Sequence, residues 1–237
     1  MTVAIVGAGP GDPGLVTVRA LELVRDCEIL VYDRLVSLDL VAKAAGAARI
    51  AREGLTQDEV NQLLVHHGRQ GRRVVRLKGG DPFIFGRGSE EVEALEAAGI
   101  PYEVVPGVST LTAIPGLAGI PLTARGVAAQ VTVVTGTSAD GGELDYARLA
   151  GTPGTLVIFM GLARLAALAD NLILAGRRVD EPAAVLSRLS LPGSQSRIGT
   201  LGTIAAVADG LPSPSVIVIG DVVALAEHAR AFIAAGS

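Results

Sequence analysis

Short apolar runs alternate with amphipathic stretches through the first half of the chain. The runs at 3–6, 28–32, 73–77 and 102–105 have the β-branched and apolar content of strands. Between and after them, apolar residues recur at helical spacing, which predicts helices at 16–25, 38–45, 57–70, 89–98 and 109–118. This alternation predicts a mostly parallel sheet covered by helices.

The pattern breaks at Gly119-Ile120-Pro121-Leu122-Thr123-Ala124-Arg125-Gly126 and then starts again. The second half predicts strands at 131–135, 155–159, 183–187 and 215–219, helices at 162–175 and 222–235, and polar loops at 138–142 and 189–196. We therefore expect two α/β lobes, residues 1–122 and 127–237, with a ligand cleft between them. Ligands of open α/β sheets usually bind at the carboxyl ends of the strands.

Composition and charge narrow the function classes. The 237 residues are 49% hydrophobic, which suits a packed core, and the net charge of −4 argues against a nucleic-acid surface. No apolar run reaches the roughly 18 residues of a membrane span, and the N-terminus lacks the basic flank of a signal peptide. We expect a soluble, cytoplasmic protein without nucleic-acid or membrane partners. The single cysteine, Cys27, is expected to be a buried thiol.

Metal and acyl-transfer chemistry find no support in the residue spacing. His66 and His67 are adjacent on one predicted helix, His228 is distant, and no metal-ligand spacing connects them. The chain contains no G-x-S-x-G motif. No metal site is therefore expected.

A glycine-rich turn, GAGPGDPG at 7–14, follows the first strand and suggests a dinucleotide-binding loop. The third glycine of that fingerprint is replaced by Asp12, and Pro10 and Pro13 interrupt the run of amides. An acid in this turn would repel a pyrophosphate. This argues against a nicotinamide-dependent dehydrogenase and leaves two interpretations, a turn without a ligand and a turn beside another kind of ligand.

The most informative segment is VVRLKGGDPFIFGRGSEE at 74–91, where a strand runs into a glycine-rich loop with one acid. Together with the glycine turn and with VYDRLVS at 31–37, it resembles the tetrapyrrole methyltransferases, specifically their branch acting on uroporphyrinogen III. The resemblance spans nearly the whole chain. It implies methyl transfer from S-adenosylmethionine to C2 and C7 of uroporphyrinogen III, giving precorrin-2 for siroheme or cobalamin, by a homodimer.

The resemblance also implies site residues. Asp33 is expected to be the catalytic base, and Arg34 and Arg87 are expected to bind substrate carboxylates. The residues expected to contact S-adenosylmethionine are Pro10, Gly79, Gly80, Asp81, Ile84, Ser109, Thr110, Met160 and Leu189. Because this ligand carries no phosphate, main-chain amides, one acid and apolar contacts suit it better than a basic cradle.

Simpler roles remain open for several of these residues. Asp81 could cap its own turn, Asp33 and Arg34 could form a solvated ion pair, Met160 could pack in the core, and Arg87 could be an exposed arginine at a helix start.

Three departures from the family pattern bear on activity. The segment 49–57 is shorter than the family loop and lacks the lysine proposed there as a proton donor, with Arg52 the nearest cation. Ala124 replaces a histidine, and Leu189 replaces a glycine. Two further alternatives therefore stand, a methyltransferase acting on a later precorrin and a non-catalytic protein that binds S-adenosylmethionine or a tetrapyrrole.

Overall fold

The computed structural model describes residues 2–137 and 142–226, which belong to two compact units, residues 1–110 and 111–237. The division lies before the expected break at 119–126. The reason is packing, because Ile114 and Ile120 belong to the same apolar cluster as Val157 of the second unit.

The first unit is built on a five-stranded sheet in which every pairing is parallel, in the order β3-β2-β4-β1-β5. Its elements are β1 (Val3–Gly7), α1 (Val18–Asp26), β2 (Ile29–Tyr32), α2 (Leu38–Ala42), β3 (Ala48–Ala51), α3 (Gln57–Arg69), β4 (Val74–Lys78), α4 (Gly88–Ala97) and β5 (Tyr102–Val105). The predicted parallel sheet is confirmed. The strand β3 was not predicted, because this edge strand is mostly exposed and carries no apolar run.

Side chains that alternate along the strands of this sheet pack into two apolar clusters, one on each face. Ala4 and Val6 of β1 lie in one cluster with Val75 and Leu77 of β4, whereas residues of the opposite parity, such as Ile5, lie in the other. Burying a Val or Leu side chain contributes about 1.5–3 kcal/mol. Both faces of the sheet are therefore covered, as parallel sheets require.

Cys27 lies in the first of these clusters and is buried, as predicted. Its thiol donates to the carbonyl of Val24 at 3.2 Å, and burial raises its pKa to about 11. The thiol therefore stays protonated near neutral pH, which does not suit a nucleophile.

The second unit contains a mixed sheet in the order β6-β7-β10-β8-β9. Only β6 and β7 pair in parallel, and the remaining neighbours are antiparallel. Its elements are α5 (Thr110–Leu117), which begins at the division, β6 (Val131–Thr135), α6 (Tyr146–Gly151), β7 (Thr155–Phe159), α7 (Leu165–Leu174), β8 (Pro182–Ser187), β9 (Gln195–Thr200), α8 (Ile204–Val207) and β10 (Ser215–Ile219). The four predicted strands of this half are confirmed.

The described part of the second half departs from two predictions at their ends. The loop expected at 189–196 runs into β9, whose serine and glycine content hides its strand character. The final helix expected at 222–235 begins as a 3-10 turn, Asp221–Leu225, and residues 227–235 lie outside the described part, as do residues 138–141 of the expected loop at 138–142. Within residues 2–137 and 142–226, no helix has the length and apolar character needed to cross a membrane.

Three loops at the carboxyl edge of the parallel sheet meet backbone to backbone. The amide of Gly9 donates to the carbonyl of Gly80 at 3.2 Å, and the amide of Gly80 donates to the carbonyl of Gly9 at 2.7 Å. A Cβ atom on Gly107 would lie 2.2 Å from the Gly80 oxygen, and one on Gly7 would lie 2.5 Å from the Gly107 Cα. Only glycine permits this approach.

We expect the substitution Gly107→Ala to lower the free energy of unfolding by about 1–3 kcal/mol, because a methyl group must push apart main-chain atoms that cannot repack. Chemical denaturation measures the change. The control is Gly46→Ala, an exposed site in the same unit where a Cβ atom meets nothing within 4 Å. Equal stability of the two variants would contradict the close contact.

The helix α3 begins with a capping box. The hydroxyl of Thr56 accepts from the amide of Glu59 at 3.2 Å, and the Glu59 carboxylate accepts from the amide of Thr56 at 2.7 Å. We expect Thr56→Ala to cost about 1 kcal/mol of unfolding free energy. Ser37→Ala is the matched control in the same denaturation experiment, because Ser37 is the N-cap of α2 but makes no side-chain cap bond. A loss as large in Ser37→Ala would refute the role of the capping box.

Candidate active site

The carboxyl edge of the parallel sheet collects residues that are distant in sequence. Asp33 follows β2, and its amide donates to the carbonyl of Leu77 in β4 at 3.1 Å. The amide of Ala8, after β1, donates to the carbonyl of Lys78 at 2.7 Å. The loops that contain Asp33, Pro10, Gly79 and Gly80 therefore start from neighbouring strands, as expected for a site at strand ends.

Asp81 braces these loops. One of its carboxylate oxygens accepts from the amide of Phe83 at 2.9 Å, and the other accepts from the amide of Gly107 at 3.1 Å. The first bond caps the turn of Asp81 itself, which was the simpler role left open for this residue. The second bond joins this turn to the loop after β5. Asp81 is half-buried, and each carboxylate oxygen retains a second lone pair for a ligand.

The other residues expected near the methyl donor in the first unit lie in the same loops. Thr110 lies against Gly80, since a Cβ atom on Gly80 would lie 2.9 Å from the Thr110 hydroxyl oxygen. Ser109 precedes it and is half-buried, as is Pro10 beside Gly9. Ile84 is 37% exposed although it is a large apolar residue. The structure thus brings together the loops that carry these residues, whereas their contact with a methyl donor stays a prediction.

The two expected contacts in the second unit are both at strand ends. Met160 follows β7, is 52% exposed and has a φ of 53°, a left-handed conformation that is uncommon for a residue with a side chain. Exposure of this kind does not suit the core-packing alternative. Leu189 is half-buried against the apolar core of this unit.

At Leu189, where the family resemblance implies a glycine, the local geometry accommodates leucine. The left-handed residues of this turn are its neighbours, Arg188 with φ 53° and Ser190 with φ 75°. The conformation of Leu189 itself is one that any residue adopts, so the turn does not require glycine at this position.

Asp33 is bound by a buried arginine. Its carboxylate accepts from Nη2 of Arg76 at 2.5 Å, and the side chain remains 26% exposed. Arg34, the expected partner in a solvated ion pair, is exposed. Asp33 is therefore held from inside the protein by an arginine of β4 and faces solvent on its other side.

Sequence reasoning missed the buried charges behind Asp33. Arg76 and Lys78 of β4 are each 1% exposed, and Glu91 of α4 is 0% exposed. Oε1 of Glu91 accepts from Nε of Arg76 at 2.9 Å and from Nζ of Lys78 at 2.8 Å. We call Asp33, Arg76, Glu91 and Lys78 the charge chain. A signal was present, because two charged residues alternate with Val75 and Leu77 in a strand that is otherwise apolar.

The environment of Lys78 is costly for a charge. Burial lowers its pKa most, the positive charge of Arg76 lowers it further, and Glu91 works in the opposite direction. Glu91 also accepts from Gln57 at 3.4 Å, and Gln57 in turn accepts from Nη2 of Arg52 at 3.3 Å. Arg52, the nearest cation to the position where the family resemblance implies a lysine, thus connects to the charge chain through the amide side chain of Gln57.

Arg87 forms an ion pair with Glu90 at the start of α4. Its Nε and Nη2 donate to the two oxygens of Glu90 at 2.7 and 2.6 Å, and this bond raises the pKa of Arg87 and lowers the pKa of Glu90. Arg87 has a left-handed φ of 58° and is about half exposed. A substrate carboxylate would have to compete with Glu90 for it.

Among the described residues, no group of three or more His, Cys, Asp and Glu side chains could hold a metal ion. His66 and His67 lie in α3, where their rings are 5.0 Å apart, and His228 lies outside the described residues.

The sequence profile of the tetrapyrrole (corrin/porphyrin) methylases matches residues 2–205. Siroheme synthase 2 of Yersinia pestis is 47% identical over 231 residues, which cover 94% of this chain and 49% of that protein. Siroheme synthase 2 of Klebsiella pneumoniae is 44% identical over 237 residues, covering 97% and 52%. The chain spans about half the length of these curated relatives.

Solved structures match over all or nearly all of their length. The uroporphyrin-III C-methyltransferase of Thermus thermophilus, in complex with S-adenosylhomocysteine, superposes with a TM-score of 0.84 at 38% identity and covers 95% of this chain and 100% of that one. A cobalt precorrin-4 methyltransferase of cobalamin biosynthesis gives a TM-score of 0.87 at 27% identity, with coverage of 94% and 95%. The expected family resemblance and the two-lobed α/β fold are both confirmed, and the chain belongs to the tetrapyrrole methylases.

Proposed function

We propose that this protein transfers methyl groups from S-adenosylmethionine to C2 and then C7 of uroporphyrinogen III, giving precorrin-2. The observation that carries the proposal is the match to the Thermus thermophilus uroporphyrin-III C-methyltransferase at 38% identity over all of that chain. The half-length match to siroheme synthases supports the same substrate. The proposal extends to a homodimer, which rests on the family resemblance, and to a cytoplasmic location, which rests on the expectation from the sequence.

The loops at the sheet edge fit S-adenosylmethionine, which needs neutral hydrogen-bonding groups and one acid. The main chain at Gly79 is half exposed, and a Cβ atom there would meet only Leu35 Cβ at 3.5 Å, so a ligand can approach this backbone closely. Asp81 supplies the acid, and Ile84 and Met160 supply exposed apolar surface. We propose that these residues, with Pro10, Gly80, Ser109, Thr110 and Leu189, hold the methyl donor.

The chemistry divides between the ligands and the protein. S-adenosylmethionine supplies an electrophilic methyl group, and an electron-rich pyrrole carbon accepts it as the ring loses a proton. Holding the two carbons about 3 Å apart supplies much of the rate enhancement in such reactions. Asp33, with its carboxylate open to solvent on one side, accepts the ring proton, and Arg34 and Arg87 bind the carboxylate arms of the substrate.

The test is an anaerobic incubation of the purified protein with S-adenosylmethionine and enzymatically generated uroporphyrinogen III, followed by product mass. We expect a gain of two methyl groups. This result would also mean that Arg52, or no residue at all, suffices where the family lysine is missing.

The same assay distinguishes the alternatives. The similarity to a cobalt precorrin-4 methyltransferase supports a second candidate, methylation of a later precorrin. Transfer to such a precorrin, with none to uroporphyrinogen III, would favour that candidate. Binding of S-adenosylmethionine without transfer to either substrate would identify a non-catalytic relative.

We expect Asp33→Asn to lower kcat by about 100-fold or more, because a positioned base contributes about 10²–10⁴-fold, while the KM for S-adenosylmethionine changes little. The control is Asp209→Asn, which neutralises an exposed acid after α8 and should leave kcat at the wild-type value. Wild-type turnover in Asp33→Asn would remove Asp33 from the catalytic role.

A further inference from the structure

Arg76 occupies an unusual place for a charged residue. It lies in β4, the central strand of the parallel sheet, where its register neighbours are Ile5 of β1 and Val31 of β2. Its side chain is 1% exposed, so water cannot satisfy the guanidinium. A charge in such a position persists only when the surrounding protein supplies its hydrogen bonds.

Three acceptors fix the orientation of this guanidinium. Nη2 donates to Asp33 at 2.5 Å, Nε donates to Glu91 at 2.9 Å, and Nη1 donates to the carbonyl of Leu77 at 3.2 Å. Because the guanidinium is planar and its donors point in fixed directions, holding two edges determines where the third points. The direction of the Asp33 carboxylate is therefore determined by groups inside the sheet.

Glu91 forms the rear anchor of Arg76. Its Oε1 accepts from Arg76, from Lys78 and from Gln57, whereas within the described residues its Oε2 is buried without a hydrogen-bond partner. The carboxylate is thus turned toward the two cations. Lys78 offsets the negative charge that Glu91 would otherwise bring into the interior.

The charge chain opens to solvent at one end. Its two acids and two bases balance, and the side-chain exposure is 1% for Arg76, 0% for Glu91 and 1% for Lys78 but 26% for Asp33. Buried ion pairs contribute little net stability compared with apolar residues of similar volume. A role in stability alone therefore explains this arrangement poorly, whereas a role at its exposed end explains it directly.

We propose that Arg76 is a positioning residue, which holds the carboxylate of Asp33 in the orientation that accepts the substrate proton and is itself held by the Glu91–Lys78 pair. This inference rests on the proposed methyl transfer. Arg76 takes up no proton, since a guanidinium remains charged. Asp33 receives the proton that the ring loses and then releases it to solvent.

The test is a double-mutant cycle of wild type, Arg76→Lys, Asp33→Asn and the combined variant, with kcat measured per folded molecule. Lysine retains the positive charge of Arg76 but has one ammonium group in place of the planar guanidinium with its fixed donors. We expect Arg76→Lys to lower kcat by about 10–100-fold, the effect of a small misplacement, with the KM for S-adenosylmethionine within about twofold of wild type. In the Asp33→Asn background, the same change should lower kcat by less than about twofold, because coupled residues are not additive.

Arg177→Lys is the matched control. Arg177 forms a forked and mostly buried ion pair with Glu181 in the second unit, with side-chain exposures of 6% and 11%. We expect this variant to lose stability but to retain the wild-type kcat per folded molecule. An equal loss of kcat from Arg76→Lys in both backgrounds, or no loss at all, would overturn the inference. If Arg76→Lys does not fold, Glu91→Gln replaces it, since that change keeps the guanidinium of Arg76 on Asp33 and removes the ionic contacts that Glu91 makes with Arg76 and Lys78.

A measurement without turnover separates this inference from the proposed function. The carboxyl carbon resonance of Asp33, assigned by its absence in Asp33→Asn, should move in Arg76→Lys and stay in place in Arg177→Lys. An unmoved resonance in Arg76→Lys would overturn the contact even in an active enzyme. A wild-type protein that transfers no methyl group would overturn the proposed function, and the resonance would still decide whether Arg76 holds Asp33.

Discussion

The close approach of Gly7, Gly80 and Gly107 is the constraint on which the rest of the first unit's site depends. It brings the loops after β1, β4 and β5 into main-chain contact. Asp81 then joins two of these loops through the amides of Phe83 and Gly107. Because the contact leaves no space for side chains, the position of each loop is determined by its neighbours, and a ligand at this edge meets a rigid backbone surface.

The charge chain supports the same edge of the sheet, because it ends at Asp33. β4 directs Val75 and Leu77 into one apolar cluster and directs Arg76 and Lys78 to the opposite face, where Glu91 of α4 is buried. One strand therefore contributes both to the core and to the support of Asp33. The loop that follows the same strand carries Gly79, Gly80 and Asp81, so the register of β4 couples the expected catalytic base to the expected methyl-donor loop.

Sequence patterns predicted eight of the ten strands, because a buried strand consists of consecutive apolar residues that can be recognised in the sequence. They did not find β3 or β9, which lie at sheet edges with polar or small side chains. The division at Thr110 was also missed, since only tertiary packing shows that Ile114 belongs to the second core. The polar turns in the sequence indicated the strand ends that carry Asp33 and Asp81. The ion pair of Asp33 with Arg76 was missed, because it forms only when β2 and β4 lie side by side, and the spacing of residues along one strand does not show which strands are neighbours.

The balance of charges inside the first unit has a consequence for how this sequence can change. Two acids and two bases share a space that solvent reaches only at Asp33. Losing one member leaves an odd charge without water to screen it, whereas losing an acid and a base together restores neutrality. A single substitution that removes the charge of Arg76, Lys78 or Glu91 therefore leaves an unbalanced buried charge. The sequence can change most easily here when an acid and a base are replaced together.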